Sequence, residues 1–134
     1  MDRFGSAWIL ACSALALHVA DEASHDFLAW YNPIVRRIRH GLGGFPFPPT
    51  FTFWPWLIGL AIAVLLLLSI TPPAFRHEAW VRPLAILLGL VNAGNGILHL
   101  VASAVAGRRV PGVLSAPFLL ASGLWLLYTT AGWH

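Results

Sequence analysis

Two histidines and two acidic residues lie inside an apolar stretch that otherwise reads as a membrane-spanning helix, and they are His18, Asp21, Glu22 and His25. At about 100° per residue in a helix, the four fall within an arc of roughly 100° and can all face one neighbour instead of lipid. An ionisable side chain at the centre of a bilayer costs about 2.5–3.5 kcal/mol on insertion scales, so such residues usually face the interior of a bundle. The pattern predicts a buried functional site on the first helix.

The composition indicates a membrane protein. Hydrophobic residues make up 58% of the 134 positions and charged residues only 10%, well below the roughly 25% charged residues typical of a soluble domain. The net charge of +3 comes from arginines without any lysine, and these lie in short clusters beside apolar runs. That distribution suits topology and anionic headgroups, so we expect membrane lipids and not nucleic acid as partners.

The apolar runs predict an all-α fold, a polytopic integral membrane four-helix bundle in a single domain, residues 1–134. The expected spans cover about residues 4–31, 51–70, 84–106 and 112–128. Asn32-Pro33 is expected to end the first span, and residues 33–50 to form an interfacial basic segment and a Gly/Pro-rich loop. The first residues also resemble a secretory signal. Cleavage there would leave His18 close to a new, frayed N-terminus, so we expect an uncleaved helix.

The arginines set an expected orientation. Counting them on the two faces gives five against three, namely Arg36, Arg37, Arg39, Arg108 and Arg109 against Arg3, Arg76 and Arg82. This bias places the first and third loops in the cytoplasm and both termini outside, in a bacterial-type plasma membrane. The tryptophans are expected to form interfacial belts, with Trp8, Trp80 and Trp133 at one face and Trp30, Trp54 and Trp56 at the other.

The third span carries a second polar stripe, formed by Asn92, Asn95 and His99. The two asparagines either contribute to binding a cofactor or hydrogen-bond between helices. Spans one and three run parallel, so His99 and the first-helix cluster are expected to meet in the cytoplasmic half of the bilayer. Small residues on this span, Gly89, Gly94 and Gly96, are expected to let a neighbouring helix come close.

At these positions the chain resembles a known family. His18-x-x-Asp21-Glu22 resembles the opening motif of the HXXEE family of small membrane proteins, and His99 with Val110-Pro111-Gly112 is similar to its later histidine and its Tyr-x-Pro-Gly motif. Asp21 replaces the first glutamate, a shorter acid of the same charge, and Arg109 stands where the tyrosine would be. The resemblance implies a four-helix membrane protein and the place of its site, without implying an activity.

Several chemistries fit this set of side chains. Zinc takes three or four nitrogen and oxygen ligands, and a catalytic site keeps one position open for water. The candidate metal ligands are His18, Glu22, His25 and His99. Iron is the alternative ion, because Glu22-x-x-His25 matches half of a carboxylate di-iron site, although the other spans lack a second such motif. A dinuclear centre would need Asp21 and Glu22 to share the two ions, with Asp26 as an optional further ligand.

The sequence thus predicts a metal-dependent integral membrane enzyme that acts on an apolar or lipid-like substrate, such as an isoprenoid. Asp21, Glu22 and His25 are the candidate catalytic acids and bases. Hydrolase, isomerase or cyclase, and oxidoreductase chemistry all stay open. One alternative is a metal-free acid–base isomerase or cyclase. Another is an ion- or proton-binding or transport protein, which would require a homo-oligomer because four short spans make a poor transporter alone. A structural or interaction protein is the third.

Overall fold

The computed structural model describes residues 2–132, and every regular element in that range is a helix. In chain order the helices are α1 (Arg3–Ser24), α2 (Phe27–Gly41), α3 (Phe53–Ser69), α4 (Thr71–Phe75), α5 (Val81–Ala106) and α6 (Ala116–Ala131). The predicted all-α class is confirmed. Three segments are long and apolar enough to cross a membrane, and they are Arg3–Ser24, Phe53–Phe75 and Val81–Ala106.

The last helix differs from its prediction in length and start. α6 has 16 residues, or about 24 Å at 1.5 Å per residue, against a bilayer core of about 30 Å. Residues 111–115 form a turn before it. Pro117 lies at the start of the helix, where its missing N–H has no consequence for the hydrogen-bond ladder.

The first predicted span is broken in the structure. α1 ends at Ser24, and Asp26 adopts a left-handed conformation with φ of 52° before α2 begins. The prediction that Asn32-Pro33 ends the helix is wrong, because α2 runs through Pro33 and includes the basic segment. Tertiary contacts stabilise it there: the Asn32 amide donates to the Phe51 carbonyl at 2.9 Å and accepts from the Phe51 N–H at 3.1 Å. The Gly/Pro-rich loop is confined to residues 42–52.

The core forms where one end of α1 meets α4, α5 and α6. Trp8 is fully buried in it, and its indole N–H donates to the Leu67 carbonyl at 3.1 Å. The expected interfacial position of Trp8 is therefore wrong, because a core polar acceptor satisfies its N–H. Trp54 and Trp80 are exposed, whereas Trp56 is buried; Trp133 lies outside the described residues.

α5 and α6 approach closely because glycines face each other. A Cβ on Gly123 would lie 2.7 Å from the Gly89 carbonyl oxygen, and one on Gly96 would lie 2.8 Å from the Ala116 carbonyl oxygen. Gly89 and Gly96 thus act as predicted, while Gly94 faces open space. The close contact fixes α5 against α6, and with it the turn that precedes α6, which positions the site.

Candidate functional site

Three buried side chains from α1 and α5 converge on one point. Glu22 Oε1 lies 3.3 Å from His18 Nε2 and 3.1 Å from His99 Nε2. The exposed fractions of His18, Glu22 and His99 are only 1%, 5% and 3%. Helix geometry brings the first two together, since they are four residues apart on α1, and the packing of α5 adds the third. We call these three residues the His–Glu–His cluster.

Gly112 packs over the two imidazole rings of this cluster. Its φ of 85° lies in the left-handed region that favours glycine. A Cβ there would lie 2.7 Å from His99 Cε1 and 2.9 Å from His18 Cε1. The turn that carries Val110-Pro111-Gly112 therefore needs glycine for both its backbone and its contact with the rings.

Asp21 does not enter the cluster but supports it through Ser115. Its Oδ2 accepts hydrogen bonds from the Ser115 backbone N–H at 2.9 Å and the Ser115 hydroxyl at 2.7 Å. The same hydroxyl lies 2.8 Å from His18 Nδ1. The role of Ser115 as a bridge between Asp21 and His18 was not predicted, because serine in a membrane helix often bonds only to its own backbone.

These contacts orient the imidazole ring of His18. Ser115 has a single hydroxyl proton, and a carboxylate can only accept, so that proton goes to Asp21. The hydroxyl oxygen must then accept from Nδ1–H of His18, and the other ring nitrogen, Nε2, is turned towards Glu22. The Asn95 amide nitrogen lies 3.2 Å from the same Nε2. His18 is therefore held from both of its ring nitrogens.

His25 and Asp26 lie outside the His–Glu–His cluster. The structure does not bring His25 into the cluster: its side chain is 52% exposed, and Nδ1 lies 2.8 Å from the Asp21 carbonyl and 3.0 Å from Asp21 Oδ1. Asp26 is exposed at the start of α2.

Asn95 contacts the site, whereas Asn92 donates to the Ala11 carbonyl at 3.0 Å and links two helices. Asn92 Oδ1 and His99 Nδ1 are buried without a hydrogen-bond partner among residues 2–132.

Two neighbouring cavities reach the cluster through Glu22. Their volumes are about 530 Å³ and 380 Å³. Both are lined by Glu22 together with Phe27, Phe51 and Trp56. The rings of Phe27 and Trp56 stack at 5.7 Å between centroids, and Phe27 lies 6.0 Å from His99. The walls are thus aromatic, and the carboxyl of Glu22 is the group of the cluster that the cavities reach.

The comparisons agree with the motif. A family model described as a protein of unknown function with an HXXEE motif matches residues 8–126. The matched range includes all three residues of the His–Glu–His cluster and the turn at Gly112. No curated protein and no solved structure matches the chain.

Proposed function

This chain belongs to the HXXEE family, and we propose that its motif forms the metal site of an integral membrane enzyme. The observation that carries the proposal is the convergence of His18, Glu22 and His99, whose ligand atoms lie within 4.8 Å of one another. All three side chains are buried, and buried ionisable groups are normally paired or bound to a metal. A divalent ion bound by His18, Glu22 and His99 would be held by all three at once.

The ligand spacing is compatible with zinc. Ligand atoms of a tetrahedral zinc site lie about 3.3–3.5 Å apart, and the two contacts to Glu22 Oε1 measure 3.1 and 3.3 Å. Three protein ligands leave one position for water or substrate, as in catalytic sites. The Ser115 hydroxyl accepts from the other nitrogen of His18, which is the support that metal-bound histidines usually receive. Iron is the alternative ion.

We propose an apolar or lipid-like substrate for this enzyme. The two cavities fall within the size range of small-molecule sites, about 300–1,000 Å³. Their shared walls are Phe27, Phe51 and Trp56, with Glu22 as the acidic group. A bound metal would supply Lewis acidity or an activated water at that point, and Glu22 is the residue placed to hold or exchange a proton with substrate in either cavity.

We further propose that α1, α3 with α4, α5 and α6 form four spans, with both termini outside and α2 along the cytoplasmic interface. The basic exposed side chains of α2 support this. His99 is seven residues from the end of α5, about 10 Å along the helix axis. The site then lies in the cytoplasmic half of the membrane, where lipid substrates reach it from the side.

Metal-free acid–base catalysis by Glu22 and His99 is the second candidate. One observation favours it: His99 Nδ1 is buried without a partner within the described residues, whereas the second nitrogen of a metal-bound histidine normally donates a hydrogen bond. The 3.1 Å contact between Glu22 Oε1 and His99 Nε2 would let these two groups share a proton. This chemistry fits an isomerase or cyclase.

Metal analysis of purified protein tests the first proposal. We expect about one divalent ion per chain, and loss of that ion in His18→Ala and in His99→Ala, since each removes one of three ligands. His25→Ala is the matched control, because His25 lies outside the cluster, and it should retain metal. Wild-type protein that holds no metal even after reconstitution with zinc would contradict the metal site and favour acid–base catalysis.

Glu22→Gln then separates the two chemistries. In the metal-free case, the variant should fold and keep its melting temperature while the rate falls about 10²–10⁴-fold, because an amide cannot transfer the proton. If Glu22 is a metal ligand, the variant loses metal and activity together. Turnover close to that of the wild type would contradict both roles.

A further inference from the structure

The two cavities beside Glu22 form one cleft with unlike ends. They share the walls Phe27, Phe51 and Trp56. At one end the lining residues come from the apolar face of α3 and include Gly59 and Leu60. At the other end the lining comes mainly from α2 and the residues beside it, and four polar side chains, Asp26, Asn32, Arg36 and Thr52, lie among apolar ones. The cleft is therefore mainly apolar, and its one cationic side chain lies at this second end, which we call the polar end.

Arg36 is the cation of the polar end. It lies nine residues after Phe27 on α2, about 14 Å along the helix axis. Within residues 2–132 it forms no ion pair, whereas Arg76 pairs with Glu78 at 2.7 Å. The amide of Asn32 is already bonded to the Phe51 backbone. The guanidinium group is thus the one cationic donor among the residues that line this cavity, and it is left to bind a ligand.

The other arginines of α2 do not line the two cavities beside Glu22. Arg37 lines a separate cavity with Trp30 and Arg108, and Arg39 lines neither cavity beside Glu22. All three belong to the same basic segment and are expected to have similar effects on topology. A ligand preference that depends on Arg36 alone would therefore report on the cleft and not on the general charge of the segment.

We propose that this cleft binds a single-chain anionic amphiphile. Its alkyl chain lies along Phe27, Trp56 and Leu60, and its phosphate or carboxylate head binds Arg36. A guanidinium group binds such oxygens in a two-pronged geometry, which makes arginine suited to head-group recognition. The inference rests on the proposed function, in that it takes the cleft as the substrate site, and it adds the charge and polarity of the substrate.

Native mass spectrometry of the full-length protein in a nonionic detergent tests this with three probes. Dodecyl phosphate carries both chain and head, dodecanol carries the chain alone, and inorganic phosphate supplies the head alone. We expect dodecyl phosphate to bind about 10-fold more tightly than dodecanol, as one charge-assisted contact allows. Arg36→Gln should abolish this preference, whereas the control Arg39→Gln should keep it. Arg36 is exposed and Arg39 is only partly buried, so both variants should fold.

Several results would overturn the inference. One is equal binding of dodecyl phosphate and dodecanol by the wild type. Another is an equal loss of preference in Arg36→Gln and Arg39→Gln, which would indicate general surface charge. Displacement of dodecyl phosphate by an equal concentration of inorganic phosphate would identify a free-phosphate site instead.

The same titration on protein treated with a chelator separates this inference from the proposed function. Binding that depends on Arg36 in metal-free protein supports the amphiphile site whatever the metal analysis gives. A protein that holds one zinc ion but has no preference for the anionic probe retains the metal proposal and contradicts the amphiphile.

Discussion

The hydroxyl of Ser115 lies 2.8 Å from Nδ1 of His18, although 97 positions separate them in the chain. The same hydroxyl donates to Asp21 Oδ2 at 2.7 Å. One small side chain thus orients the ring of His18 and holds the carboxylate next in sequence to Glu22. Outer contacts of this kind orient a functional histidine without touching the reacting atoms.

Ser115→Ala should destabilise the protein and weaken the site together. It leaves the Asp21 carboxylate and His18 Nδ1 without their hydroxyl partner, at a cost of about 1–3 kcal/mol in the free energy of unfolding. If a metal is bound, its affinity should fall about 10–100-fold. Ser122→Ala is the control, because the Ser122 hydroxyl is buried but bonds, among residues 2–132, only to the Leu119 carbonyl. Thermal unfolding in detergent measures the difference, and equal shifts in both variants would contradict the bridge.

Gly112→Ala should disrupt the His–Glu–His cluster. The new methyl group would lie 2.7 Å from His99 Cε1, and alanine at φ of 85° is strained. We expect a loss of about 1–3 kcal/mol in the free energy of unfolding. Gly94→Ala is the matched control, since a Cβ there meets no atom within 4 Å and alanine favours the helix. Equal melting temperatures for Gly112→Ala and Gly94→Ala would contradict this prediction.

Acid should weaken the start of α1 through Asp2. This residue caps the helix by accepting from the Phe4 and Gly5 N–H groups and contacts His77 at 3.0 Å. Burial alone would raise the pKa of Asp2, but the hydrogen bonds from Gly5, His77 and Phe4 outweigh it and lower the pKa below 3.8. A lowered folded-state pKa gives stability that is complete above the unfolded-state value and is lost as the pH falls through the folded-state value.

Asp2→Asn should therefore flatten the pH dependence of the melting temperature below about pH 5 while keeping a capping oxygen. Asp26→Asn is a suitable comparison, because the Asp26 carboxyl forms no hydrogen bond or ion pair among residues 2–132. Melting curves recorded between neutral pH and pH 3 would decide it. A slope unchanged from that of the wild type would exclude Asp2 as the source.

The proposed orientation is testable with reporter fusions. A reporter that is active only in the cytoplasm should be active when inserted in loop 42–52 and silent when fused to the C-terminus, because the arginine excess lies on the loop side. Replacing Arg36, Arg37 and Arg39 with glutamine removes this arginine excess. It should reduce the difference in reporter activity between the loop and the C-terminus. Strong cytoplasmic activity at the C-terminus would reverse the orientation.

The sequence predicted those features that depend on local spacing. His18 and Glu22 lie four residues apart, and any helix places residues with that spacing on one face. The all-α class follows equally from long apolar runs, and the family follows from the motif and its match to residues 8–126. The position of His99 on its own polar stripe made it a candidate for the same site, and the structure brings it to 3.1 Å from Glu22.

Local patterns did not predict the break at Asp26 or the passage of α2 through Pro33. No glycine or proline marks residues 25–26, and the residue before a proline usually leaves the helix. The structure differs because the Asn32 amide bonds to the Phe51 backbone across the loop. The stabilisation that these hydrogen bonds provide comes from residues about 20 positions away in the chain. Local propensities do not include contacts at such a separation.

Spacing along one helix decided which side chains share a face, whereas only the packing of helices decided what those faces meet. His25 shares the arc of His18 and Glu22, yet α1 ends before it, and its side chain turns to Asp21 and solvent. Tryptophan is a typical interfacial anchor, but the indole N–H of Trp8 donates to the Leu67 carbonyl in the core. Ser115 reaches His18 because α6 begins beside α1. Such contacts depend on the register of one helix against another, which is set by the fit of whole surfaces and not by the order of residues within either helix.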